Sequence, residues 1–371
     1  MTRVVMAVLL VMAQACTPDA GPEDRGDFAV LAQGAEGFAQ ARPGVPLVFS
    51  RDHGAHPAYR IEWWYLTANL QGSDGLEYGA QWTLFRSATR PPGELPPANP
   101  WQDPQVYMAH LAITTPDGHV AFQRYARGGV HDGEARAGAT AEPFEAWLDD
   151  WVLRSTGEHW LPLQLRAAED GYAIDLQLDS SRPKVLQGED GFSQKHPDGG
   201  GSYYYSQPFL EARGDIKFNG QVVAVQGSAW LDREWSSQFL KADQLGWDWF
   251  ALHLESGEKL MLFRLRGVPG SNRGDFKHGV LIEPSGAKRQ LDPETIGFRE
   301  ISRSTVAGRE LPLYWRISLG ELGRELEVRA LHPDQWMDVD FAYWEGVVTV
   351  SGEGPGNRGV GYLEMTGYTP R

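Results

Sequence analysis

The chain has 371 residues, 42% of them hydrophobic and 11% aromatic, enough to build the cores of about two domains and too apolar for a disordered chain. Its 34 Lys and Arg stand against 49 Asp and Glu, a formal net charge of -15. That balance repels phosphate backbones and excludes an electrostatic nucleic-acid binder, while 14 Trp suit strands and apolar ligand pockets.

At the N-terminus, Arg3 precedes an apolar run over residues 4–12 that is too short to span a bilayer. The small residues Ala13 and Ala15 then lead to Cys16, the only cysteine in the chain. This pattern predicts a secretory signal over residues 1–16 with Cys16 as a lipidation site. The expected protein is therefore exported, held on the periplasmic side of the membrane by a lipid anchor. Residues 17–44, which begin rich in Pro, Gly, Asp and Glu, read as a tether.

Beyond the tether, His53-x-x-His56 lies in a loop-like segment with no third ligand suggested by spacing, so no metal is expected. The tract Arg90-Pro91-Pro92-Gly93 opens a semi-rigid loop at a barrel mouth. Strand periodicity follows. Leu161, Leu163 and Leu165 alternate with other residues, as do Tyr172, Ile174, Leu176 and Leu178. Gly199-Gly200-Gly201 is not followed by a helical pattern, so it is a turn and not a phosphate loop. Asn219-Gly220 is a strong hairpin signal. No cofactor motif appears. The expectation is an all-β chain.

Two landmarks repeat in the same order. Glu62-Trp63-Trp64-Tyr65 runs through a Gly-containing turn to Leu84-Phe85-Arg86, and Trp247-Asp248-Trp249-Phe250 runs through Ser256-Gly257 to Leu262-Phe263-Arg264. Farther on, Ala229-Trp230-Leu231-Asp232 finds its counterpart in Gly361-Tyr362-Leu363-Glu364. Such repetition predicts a duplicated unit, with domains at 45–240 and 241–371. The duplication predicts that Trp230 superposes on Tyr362 and Asp232 on Glu364. Closed barrels would remove exposed sheet edges from both copies.

Read together, Glu62-Trp63-Trp64-Tyr65, Trp230-Leu231-Asp232-Arg233-Glu234-Trp235, Trp247-Asp248-Trp249-Phe250 and Tyr343-Trp344-Glu345-Gly346 resemble the AttH and carotenoid 1,2-hydratase (CrtC) family. The resemblance implies two tandem lipocalin-like β-barrel domains. It also implies either hydro-lyase chemistry on a polyene or terpenoid-like ligand, or a non-catalytic lipophile-binding lipoprotein that serves an ABC permease. The family's catalytic Asp falls on Asp232. Its His-x-Trp pair falls on Tyr203-Tyr204-Tyr205, so both positions carry Tyr here.

Hydrating an isolated alkene requires an acid able to protonate carbon and a surrounding that stabilises the cation. A buried Asp stays protonated, and aromatic faces attract cations. Asp232, with Trp230, Tyr203 and Tyr205, supplies such a set, and the period of two places Trp230, Asp232 and Glu234 on one strand face. Glu62, Trp64, Trp82, Glu234, Trp247 and Asp248 are the expected ligand-pocket residues. For Glu62 and Asp248 the alternative is a buried ion pair, Glu62 with Arg86 or Arg264 and Asp248 as a tie between domains.

Overall fold

The computed structural model describes residues 35–93, 99, 102–131, 134–241, 243–268 and 274–370. Cys16, the segment 1–16 and most of 17–44 lie outside the described residues.

Strands β1 (Ile61–Gly72), β2 (Glu77–Ala88), β3 (Gln105–Thr115) and β4 (Gly118–Arg127) form an antiparallel meander. The small hairpin β5 (Val130–His131) and β6 (Glu134–Ala135) leads to β7 (Ala137–Ala141), β8 (Phe144–Leu148) and β9 (Trp151–Ser155). Next come β10 (Leu163–Glu169), β11 (Tyr172–Asp179), the short β12 (Val185–Leu186) and β13 (Phe192–Gln194), then the long β14 (Gly201–Phe218) and β15 (Gln221–Ser236). Hydrogen bonding orders this sheet β4-β3-β2-β1-β15-β14-β11-β10-β9-β8-β7, with β12 and β13 both on β14.

The second sheet holds β16 (Gln244–Leu254), β17 (Lys259–Gly267), β18 (Phe276–Ile282), β19 (Lys288–Gln290) and β20 (Ile296–Val306). It continues through β21 (Arg309–Leu319), β22 (Arg324–Ala330), β23 (Trp336–Met337), β24 (Tyr343–Gly352) and β25 (Gly359–Met365). Its order is β19-β18-β17-β16-β25-β24-β22-β21-β20, with β23 on β24. In both sheets a four-strand meander meets the last strand of the unit, which then pairs with the strand before it. This shared topology bears out the expected duplication of two lipocalin-like domains.

The local causes are those the pattern suggests. Ile174, Leu176 and Leu178 turn one buried face inward, and Leu163 and Leu165 do the same on the neighbouring strand. Asn219 and Gly220 both take positive φ, +48° and +77°, the twist a two-residue hairpin needs between β14 and β15. Each sheet curls around its own core. Trp64, Leu66, Trp82, Leu165 and Leu231 lie in the first, and Phe250, Leu262, Trp315, Val350 and Leu363 in the second. Side chains draw the ends of the first sheet together. Arg124 on β4 reaches Glu169 on β10 at 2.7 Å and lies over Trp151 of β9 at 4.5 Å.

A third apolar cluster joins the outer faces of the two sheets, with Tyr65, Tyr204 and Trp230 against Trp249, Phe263 and Tyr362. The joint has a two-fold character. Asn69 on β1 donates to the Gly361 carbonyl on β25 at 2.9 Å, and Gln81 on β2 reaches Tyr343 on β24. In the reciprocal sense, Trp249 on β16 packs on Trp230 of β15, and Lys259 on β17 lies over Phe209 of β14. Equivalent strands of the two copies thus exchange equivalent contacts, as in an isologous dimer interface.

The expected superposition is corrected in register. Glu62 faces Arg86 across β1 and β2 as Asp248 faces Arg264 across β16 and β17. In that frame Trp63, opposite Glu234, corresponds to Trp249, opposite Glu364. Glu364 therefore matches Glu234, and Tyr362 matches Asp232, two residues away from the expected pairing. Strand identity follows from the order of landmarks, but register follows from which carboxylate meets which Arg.

Candidate functional site at the junction of the two sheets

On β15, Ala229, Leu231 and Arg233 point into the first barrel, whereas Trp230, Asp232 and Glu234 point out of it toward the second sheet. Asp232 is buried and carries no ion pair among the described residues. Its carboxyl accepts hydrogen bonds from Tyr204 Oη at 2.7 Å, Trp230 Nε1 at 2.7 Å and Ser206 Oγ. Gln187 donates to the same Ser206 hydroxyl at 2.8 Å, and Trp249 of the other sheet donates to Tyr204 Oη at 3.3 Å. Burial pushes Asp232 up to about 7. The three hydrogen bonds oppose that shift, and the charge of Glu234 adds to it.

Three further carboxyls share this junction. Glu234 is neutralised by Lys195 Nζ at 2.8 Å and bonded by Ser202. The same ammonium sits 4.5 Å above the Phe263 ring and 5.0 Å above those of Tyr204 and Phe239. Glu364 on β25 accepts from Trp247 Nε1 at 2.6 Å. Burial pushes it up to about 8, against the Trp247 hydrogen bond and helped by the charges of Asp232 and Glu234. Glu345 on β24 accepts from Tyr65 of the first sheet. Burial, with Glu364 adding to it, raises it well above the usual carboxylate range, and its Oε2 has no hydrogen-bond partner. Four carboxyls and one paired ammonium leave three acids without a countercharge, and such groups hold their protons instead of ionising.

Aromatic rings wall the cluster. Trp249 lies edge-on to Tyr65 at 5.3 Å and to Trp230 at 6.3 Å. Trp63, Trp247 and Glu364 stay partly exposed, so among the four acids Glu364 is the one that meets solvent on that side. Phe239 bridges the two tryptophans there, 4.9 Å from Trp63 and 5.3 Å from Trp247. The arrangement presents proton donors and π faces together from both domains.

Several expected site residues lie elsewhere. Tyr203 and Tyr205 flank Tyr204 on β14 and so point to the opposite face, where they pack with Trp235. There Tyr205 Oη pairs with His53 Nδ1 at 2.6 Å, and Tyr203 Oη accepts from the Arg42 amide. The middle tyrosine of the triplet, Tyr204, is the one that reaches Asp232. Trp64 and Trp82 fill the interior of the first barrel. Glu62 is fully buried between Arg86 and Arg233, and His56 supplies its amide at 2.8 Å and its Nδ1 at 3.0 Å. Arg264 serves Asp248 instead, at 2.6 Å, together with Arg266 at 2.7 Å and Tyr368 Oη at 2.9 Å. All of those partners lie in the second copy, so Asp248 ties one barrel end and not two domains. Trp230, Asp232, Glu234 and Trp247 come together at the junction. Glu345, Glu364, Lys195 and Tyr65 join them and were not expected as site residues, although the repeated landmark contained Glu364 and the family motif contained Glu345.

A sequence profile of the AttH-like family matches residues 40–368. Among solved structures, a Nitrosomonas europaea protein assigned to AttH is 34% identical, with a TM-score of 0.77 over 90% of this chain and 100% of that one. Kievitone hydratase from Nectria haematococca superposes with a TM-score of 0.64 at 14% identity, over 90% of this chain and 98% of that one. CghA in complex with Sch210972 does so at 0.54 and 13%, over 91% of this chain and 97% of that one. The last two establish a shared fold. No curated protein sequence matches the chain. With a family profile over nearly all of the described residues and a relative of one-third identity along its whole length, the chain belongs to the AttH-like family.

Proposed function

We propose that this protein adds water across a C=C bond of an apolar, polyene or terpenoid-like molecule held at the junction, with Asp232 as the acid. The observation that carries the reading is a buried Asp that no cation pairs among the described residues, its pKa raised to about 7 by burial, with Trp230, Tyr204 and Trp249 around it. The Asp232 O–H bond breaks as the new C–H bond forms, leaving a carbocation that the ring faces stabilise. Water then forms the C–O bond, and its surplus proton returns to the Asp232 carboxylate, which restores the acid. Likeness of fold to kievitone hydratase supports the reaction class.

Asp232→Asn keeps the volume of the side chain and removes its transferable proton. Incorporation of ¹⁸O from labelled water into an acyclic carotenoid or a prenylated phenol is expected to fall by about 100-fold or more. Equal incorporation by the variant, or none by the wild type across such alkenes, sinks the proposal.

Separately, we propose from the signal-like residues 1–16 that the protein is held on the periplasmic side of the membrane through a lipid on Cys16. Cys16→Ser is then expected to move the protein from the membrane fraction to the soluble one. Unchanged fractionation without acyl mass on the mature N-terminus contradicts it.

A further inference from the structure

A cavity of about 230 Å³ opens at one end of the first barrel, away from the acid cluster. Three separate pieces of chain build it: the segment carrying Phe49 and His53, the β7–β8 turn with Phe144, and the β9–β10 loop with Trp160, while Lys184 closes the side. The His53 ring stacks on Trp160 at 3.7 Å with 5° between planes, and Phe144 meets Trp160 at 4.5 Å. His53 is held in place from behind by Tyr205 Oη, and burial with the charges of Lys184 and Arg233 keeps the imidazole neutral. The walls are therefore a rigid aromatic slot.

Lys184 sets the polarity. It is partly buried, its ammonium lies 4.5 Å over the Phe49 ring, and no carboxylate pairs with it among the described residues. A half-desolvated ammonium supported only by a ring face gains most from an anion brought to it. Trp160 Nε1, at the same wall, is buried without a hydrogen-bond partner, a second unused donor. Glu142 and Glu158 also line the cavity, but both are exposed on the rim, where water and salt screen them more than Lys184 is screened. The volume is that of roughly eight waters, below the range of drug-sized ligands.

We infer that this end of the barrel is a binding site for a small aromatic monocarboxylate, its ring packed against the cluster of Phe49, Phe144 and Trp160 and its carboxylate on Lys184. The site is independent of the proposed hydration at Asp232.

Titration of the full chain with 3-phenylpropanoate and with its neutral counterpart 3-phenylpropan-1-ol tests this. The carboxylate is expected to bind at least tenfold more tightly and to quench Trp fluorescence. Lys184→Met should erase that preference while leaving the alcohol's affinity unchanged. Trp160→Leu should weaken both ligands, and Asp232→Asn should alter neither. Binding of neither compound by the wild type overturns the inference. So does a carboxylate preference that survives in Lys184→Met, or one that disappears in Asp232→Asn, which would place the ligand at the junction.

Discussion

Glu62→Gln is expected to cost the protein about 3–5 kcal/mol of stability, the usual loss when one partner of a buried ion pair is removed. Glu62 and the two guanidinium groups that hold it, Arg86 and Arg233, are fully buried. Arg86 also donates to the carbonyls of His56 and Tyr59 and to Gln105, so it cannot swing out to water. Arg233 lies 3.7 Å over the Trp64 ring and donates to the carbonyls of Gly54 and Trp63. Gln fills the space of Glu but leaves both cations in a low-dielectric interior without a countercharge. The equivalent Asp248→Asn should cost less, because Arg264 keeps Glu300 at 3.1 Å and Asp275 at 3.5 Å. Urea unfolding of the two variants measures both losses. A Glu62→Gln loss below about 1 kcal/mol would equate the buried network with a surface pair and refute this account.

Between about pH 5 and pH 8 the stability of the wild type is expected to fall relative to that of Glu364→Gln. Glu364 has its folded-state pKa raised, from an ordinary 4.5 to about 8. A raised carboxyl binds more protons in the folded than in the unfolded state at intermediate pH. Its contribution is thus complete below about 4.5 and is lost as pH climbs through about 8. Asp232, raised to about 7, acts in the same sense over a narrower span. At about 1.4 kcal/mol per tenfold change in proton affinity, Glu364 could contribute at most about 5 kcal/mol. Its partial exposure lowers this, so about 2–3 kcal/mol is the expected difference between wild type and Glu364→Gln when the two pH values are compared. Parallel stability-versus-pH curves for the two proteins would show that Glu364 does not hold a proton in the folded state.

The fold was legible in the chain because its two signals are local. Alternation at Ile174, Leu176 and Leu178 needs only neighbouring residues to declare a strand, and Asn219-Gly220 needs only two to declare a hairpin. The site was half legible for the same reason. A period of two grouped Trp230, Asp232 and Glu234, yet it could not say which side of β15 would face the barrel interior. The chain spends its small and aliphatic residues, Ala229 and Leu231, on the inside. The indole and acids go to the face that the second sheet covers. The resemblance set Tyr203 and Tyr205 beside the acid, whereas Tyr204 turns toward it, since a shift of one residue reverses a side chain's direction. Partners far apart in sequence were beyond any local rule. Arg233 reaches Glu62 from 171 positions away, and Tyr65 reaches Glu345 from 280.

The two-fold character of the joint bears on how such a centre can arise. A homodimer of the ancestral unit would have carried identical outer faces, so any acid gained on one would have met its own image across the axis. Fusion into one chain freed the copies to drift apart. In the shared register Asp232 of the first copy corresponds to Tyr362 of the second, and Tyr204 corresponds to Glu345. Acid and phenol have traded strands between the halves. A chain made of two first copies would set phenol against phenol and one Asp against another, and would lose Glu345 altogether. The asymmetry of the centre is therefore the inherited trace of a symmetric assembly, and it could be selected only after the two copies had stopped being interchangeable.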